Sequence, residues 1–322
     1  NGSRDNPNNI HSVNDIFTYG DSFTFCRQVN NEFTWQSNLS LLANKNVLNF
    51  GVGNFGIDQA NLRYKSETKN LCDKIIIMGV VPETILRIHS YWKHYLEYGN
   101  VLAFKPRYIL DNNALKLIEN IISTKEDLIN YKKHLSHIKK YDYFYKKKFK
   151  KDIIKFPYSL YYLKTFKRNL PLLISVLIMI FCKKLNIFKS LFYKIHKKFV
   201  LEKNTHLASE LFNKKNPTKL LQLIIEDFNK YSLTNKSKPL LLIIPQLCDL
   251  ESIKKNKSCY YAIFFKKLKK NINILDMTET FLLQNNFYDL YVDDKHGGHI
   301  NEEGNKIIST KVHEKLQKLK YL

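Results

Sequence analysis

Residues 15–23 read Asp15-Ile16-Phe17-Thr18-Tyr19-Gly20-Asp21-Ser22-Phe23. A short apolar run ends at a glycine, and a serine follows one residue later. The run has the length and composition of a buried strand, and Gly20 permits a tight turn at its end. Four further runs have the same character: Asn46–Phe50, Lys74–Val80, Leu240–Pro245 and Ile272–Met277. Near-continuous runs of Ile, Leu, Val and Phe suit strands buried on both faces. Between them lie amphipathic stretches at Trp35–Ala43, Asp58–Asn70 and Tyr260–Lys270, and a last helix fits Asn301 to about Lys320. Asn301 can cap that helix, with Glu302 and Glu303 in its first turn where carboxylates favour the dipole. Strand–helix alternation predicts an α/β fold, an open parallel sheet of about five strands with helices on both faces. Ligands of such sheets bind beyond the carboxyl ends of the strands, where Ser22 and Asn54 fall.

The alternation breaks between about residues 97 and 236, which are expected to form a basic, mostly helical insertion in a single domain spanning residues 1–322. Net charge is +23. Residues 131–200 hold 19 Lys/Arg against Asp142 and Asp152, about +17 of it, while the remainder holds 33 basic against 27 acidic residues. So concentrated a charge points either to an anionic partner, such as an anionic membrane surface or an acidic polymer, or to a plain solvated face. No nucleic-acid module is recognisable, and the aromatic residues of the segment fall at helical core spacing rather than as a stacking platform. Leu170–Cys182 is the most apolar part, too short to span a bilayer. It reads as a buried helix or as an interfacial membrane helix with basic flanks. The five cysteines, Cys26, Cys72, Cys182, Cys248 and Cys259, show no C-x-x-C spacing, so buried thiols are expected rather than a disulfide framework or zinc site. The opening Asn-Gly-Ser-Arg does not look like a natural start, so a trimmed N-terminal segment is expected, and location stays open between cytoplasm and cell envelope.

Three constellations carry chemistry. Ser22 at a strand-to-helix turn can act as a nucleophile once a base takes its proton, and the helix start offers N–H groups to an oxyanion. Asn49 to Gln59 contains Gly51, Gly53 and Gly56, a loop whose backbone can approach a ligand closely. Its spacing is not that of a P-loop, and no Lys follows. His296-Gly297-Gly298-His299-Ile300-Asn301 lies before the last helix with Asp293 and Asp294 upstream, a pattern fit for a general base oriented by a carboxylate. A metal-binding His pair is the weaker reading, for want of a third ligand.

Taken together and in this order, the three blocks resemble those of the SGNH (GDSL-type) hydrolases, over roughly residues 14–110 and 238–320. The resemblance implies a flavodoxin-like three-layer α/β/α sandwich and a serine esterase that works without a cofactor or metal. It implies Ser22 as nucleophile, His299 as base and Asp294 as its carboxylate, with Asp293 and His296 as a second registration. It implies an oxyanion hole from the Ser22 and Asn54 N–H groups, with Thr84 nearest the position of the family's third-block Asn, which this sequence lacks. Gly53 and Arg87 are the expected substrate contacts, Arg87 either binding an anionic substrate group or forming a structural ion pair. The expected substrate is an O-acetyl or other short acyl ester on a bacterial glycan. A polysaccharide O-acetyltransferase using the same triad is the alternative, and a catalytically decayed membrane- or polyanion-binding protein a further one.

Overall fold

The computed structural model describes residues 2–9, 14–67, 72–92, 103–150, 156–167, 170–171, 173–174, 177, 201–292 and 298–322. Five parallel strands form the central sheet in the order β2-β1-β3-β6-β7: β1 (Asn14–Gly20), β2 (Asn46–Gly51), β3 (Ile75–Val80), β6 (Lys238–Ile243) and β7 (Ile274–Asp276). Leaving out a separate antiparallel pair, β4 (Arg107–Asp111) and β5 (Ala114–Ile118), this is the doubly wound order 2-1-3-4-5 of flavodoxin-like folds. The strand order reverses at β1, so the turn after β1 lies at the crevice such sheets use for ligands.

Each strand sorts its side chains by parity onto two cores. Ile76, Met78, Val80, Leu241 and Ile243 pack on one face with Tyr64 of α3 (Ile57–Glu67) and Ile224 and Phe228 of a 20-residue helix at Lys215–Thr234. Ile75, Ile77, Leu240 and Leu242 pack on the other with Leu39 of α2 (Trp35–Ala43) and Ile308 and Val312 of the last helix, Glu302–Lys318. Asn301 caps that last helix by accepting from Gly304 N at 3.0 Å. Three layers result, and both faces of the sheet are covered.

In chain order the remaining helices are α1 (Ser22–Phe25), α4 (Thr84–Arg87), α5 (Lys125–Ile129), α6 (Leu135–Tyr141), α7 (Tyr158–Lys164), α8 (Glu202–Phe212), α9 (the Lys215–Thr234 helix), α10 (Leu247–Asn256), α11 (Ala262–Leu268), α12 (Thr278–Leu282) and α13 (Glu302–Lys318). Two features differ from the mostly helical insertion expected over residues 97–236. Helix α9 covers the sheet and leads into β6, so it is a layer of the sandwich. And residues 107–118 form a hairpin rather than helix, because Asn112 (φ 50°) and Asn113 (φ 62°) supply the two left-handed positions of a two-residue turn. The hairpin and the turn after α6 dock through buried charge. Lys105 Nζ pairs with Asp58 Oδ2, with both side chains at most 2% exposed. Arg107 donates to the carbonyls of His89 and Tyr141. Asp142 accepts from the Tyr91, Trp92 and Phe144 N–H groups at 2.8–3.0 Å.

Candidate active site

Strand register builds the floor of the site. Gly20 ends β1 opposite Gly51 of β2 and Gly79 of β3, so three glycines form a row across the strand ends. The short helix α1 sits on this row. A Cβ at Gly20 or Gly79 would collide with the Thr24 hydroxyl, and one at Gly51 with the backbone of Thr24 and Phe25. Side chains at these positions would lift the turn bearing Ser22 off the sheet.

Asp21 caps α1, its Oδ1 accepting from Phe23 N at 2.9 Å. At the other end of the helix, Arg4 donates to the carbonyls of Phe25, Cys26 and Val29, each at 2.6 Å. Gln36 and Asn49 reach the Thr24 carbonyl at 2.7 and 3.0 Å. The turn bearing Ser22 is therefore held on all sides by groups from α2, β2 and the N-terminal segment.

His299 arrives from the far end of the chain. Gly298 precedes it with φ 73°, a left-handed conformation that favours glycine. The backbone is fixed by Val292 N donating to His299 O at 2.8 Å and Asn301 N to Leu290 O at 3.0 Å. The imidazole stacks on Phe23 with centroids 4.7 Å apart. Its Nε2 lies 2.8 Å from Ser22 Oγ, within hydrogen-bond reach. Both residues are buried, at 8% and 5% exposure. Asp293, Asp294 and His296 lie outside the described residues.

Asn54 sits in a turn after β2 with φ 65°, a conformation Asn tolerates better than most residues. Among the described residues neither its N–H nor that of Ser22 donates to another group of the chain. The space beside Gly53 is open, with nothing within 4 Å of where a Cβ would stand.

Thr84 and Arg87 have structural duties here. Thr84 Oγ1 accepts from Ile57 N at 2.9 Å, tying α4 to the start of α3, and among the described residues no hydrogen bond joins it to Ser22. Of the two roles open to Arg87, the structure shows the ion pair. Its Nη1 lies 3.1 Å from Asp21 Oδ2 and donates to Phe55 O at 3.0 Å, and its Nη2 lies 3.6 Å from Glu83 Oε2. The guanidinium faces inward because Asp21 is buried beneath it. Burial pushes the Asp21 carboxyl above the usual carboxylate range, against the pull of Arg87 and the Phe23 N–H. Sequence reasoning missed Asp21 and Arg4 as supports. The position of Asp21 immediately before a helix start is an N-cap signal; Arg4 carries no local signal, because its partners are fixed only by the fold.

A cleft of about 410 Å³ is lined by Gln28, Val29, Val292, Asn301, Glu302, Glu303 and Lys306, and neither Ser22 nor His299 is among its lining residues. Its walls are predominantly polar.

No protein family and no curated protein matches the sequence. Among solved structures the chain is similar to one from Desulfitobacterium hafniense DCB-2 described as "a putative lipolytic protein of G-D-S-L family", at 12% identity over 94% of this chain and 100% of that one, with a TM-score of 0.40.

Proposed function

We propose that the protein is a serine ester hydrolase, with Ser22 as nucleophile and His299 as general base. The hydrogen bond between Ser22 Oγ and His299 Nε2 at the carboxyl end of β1 carries this reading. Ser22 Oγ attacks the ester carbonyl carbon as Nε2 takes its proton. The Ser22 and Asn54 N–H groups receive the oxyanion. The tetrahedral adduct collapses, the ester C–O bond breaks, and the imidazolium returns the proton to the leaving alkoxide. Water then attacks the acyl-serine, gives its proton to His299, and releases the acid as the Ser22 hydroxyl re-forms. Asp294 is the carboxylate that orients the imidazole in this scheme, with Asp293 and His296 as the second registration.

The substrate we favour is a short acyl ester, such as O-acetyl, on a glycan. A short acyl ester on a glycan follows from the resemblance of the three motif blocks to the SGNH hydrolases.

A fluorophosphonate probe should label the wild type and not Ser22→Ala. Turnover of p-nitrophenyl acetate should fall at least about a thousandfold in Ser22→Ala and in His299→Ala, with melting temperature little changed. A His296→Ala variant that is dead beside an active His299→Ala would overturn the assignment of the base. An unlabelled wild type would overturn the enzyme itself. Formation of an acylated sugar in the presence of an oligosaccharide acceptor would make the protein a transferase.

A further inference from the structure

Helix α7 reads Tyr-Ser-Leu-Tyr-Tyr-Leu-Lys and buries none of its residues. Phe156 before it is 83% exposed, and Leu163 at its end 71%. Tyr158, Tyr162 and Phe166 are each at least half exposed. Farther on, Leu173, Ile174 and Leu177 also face solvent. Exposed large apolar side chains scattered singly over a surface need no explanation, but these are concentrated in one stretch. A helix whose Leu and Tyr side chains stand exposed beside Lys has the amphipathic character of an interfacial segment.

Charge identifies the partner. The stretch lies within the segment carrying 19 Lys/Arg against two acids. Lys164 and Lys167 alternate with the exposed rings and are exposed themselves, as are Lys146, Lys147 and Lys150. An acidic polymer would account for the lysines and leave Phe156, Leu163 and Leu177 in water. A bilayer with anionic headgroups accounts for both, with aromatic and aliphatic side chains in the headgroup–acyl boundary and Lys at the level of the phosphates. No described helix is long and apolar enough to cross a membrane.

We propose that the described residues between 156 and 177 form a docking surface for an anionic lipid bilayer, independent of the chemistry at Ser22. Vesicles of phosphatidylcholine with phosphatidylglycerol should bring down the full chain on sedimentation, and pure phosphatidylcholine vesicles should bind at least about tenfold more weakly. The triple variant Phe156→Ser/Leu163→Ser/Phe166→Ser and the double variant Lys164→Glu/Lys167→Glu should each lose about tenfold in apparent affinity. Both should keep the wild-type melting temperature and activity on a soluble ester. A Phe156→Trp variant should shift its emission to the blue on adding the anionic vesicles. Absence of vesicle binding would overturn the proposal, as would equal binding to neutral lipid. So would full vesicle affinity in the serine triple variant. Tight capture by dextran sulfate that the serine triple variant retains, with no blue shift on vesicles, would assign the surface to an acidic polymer instead.

Discussion

At the scale of single residues, the turn bearing Ser22 depends on Asp21, Arg87 and Arg4 around it. Asp21 is buried between the α1 backbone and the Arg87 guanidinium, so removing one partner strands the other. Arg87→Met should cost about 3–5 kcal/mol in urea unfolding. The double variant Asp21→Asn/Arg87→Met should recover part of that loss, since Asn still caps α1 and the buried Asp21 charge is gone, leaving only Glu83 without its 3.6 Å partner. An additive double variant would show that the two groups do not act as a pair. Asn54 tests the oxyanion site: Gly there keeps both the left-handed turn and the N–H, so Asn54→Gly should retain turnover. Asn54→Val, strained at φ 65°, should lower kcat while leaving soluble folded protein. His89 has a different part. It is buried, its Nδ1–H donates to Ile85 O at 2.7 Å, and burial with Arg107 beside it lowers its pKa to about 3. The unfolded chain takes up a proton near pH 6.5 and the folded chain does not. Its contribution is therefore intact above that pH and is lost as pH falls from 6.5 towards about 3, at about 1.4 kcal/mol per unit. In His89→Gln the dependence of unfolding free energy on pH across this window should be shallower by one proton, whatever the variant's absolute stability.

Among the elements, the β4–β5 hairpin rests on its turn. Asn112→Ala and Asn113→Ala should each destabilise the protein by about 1 kcal/mol in thermal unfolding, because a side chain without a local polar group bears the full left-handed penalty. The hairpin was legible in the Asn-Asn pair between two short apolar runs, yet the long break in strand–helix alternation over residues 97–236 favours a helical reading of the whole span. The five sheet strands, α2 and the last helix were legible because each is a long, periodic or continuous apolar segment bounded by turn residues. Ser22, the Gly-rich loop and His299 were legible as types at strand and helix ends. The inward turn of Arg87 was not, since only the fold buries Asp21 under it. Nor was the clasp of Arg4 on α1, which depends on a segment crossing to β2 through an Arg4–Asn49 bridge. The same segment covers an edge: Asn6 donates to Val47 O, and Asn9 accepts from Val47 N, along the outer side of β2.

Across the whole molecule, charge and packing are divided unequally. The sandwich is close to electrically balanced, and the basic excess is concentrated in the segment that carries α7. Lys164 and Lys167 stand exposed on chain with little burial, so brief trypsin treatment should cut there first, and the sandwich should keep its melting transition. Ser22 and His299, which meet at 2.8 Å, are separated by 277 positions along the polypeptide. The serine turn needs only β1, β2 and β3 beneath it, whereas the imidazole is delivered by the loop that leads into α13, after every strand has been placed. A ribosome that has released everything up to β7 holds an armed-looking hydroxyl with no proton acceptor beside it. Competence for the proposed ester cleavage would thus wait until the loop before α13 has been made and folded, so products truncated ahead of it would be chemically silent.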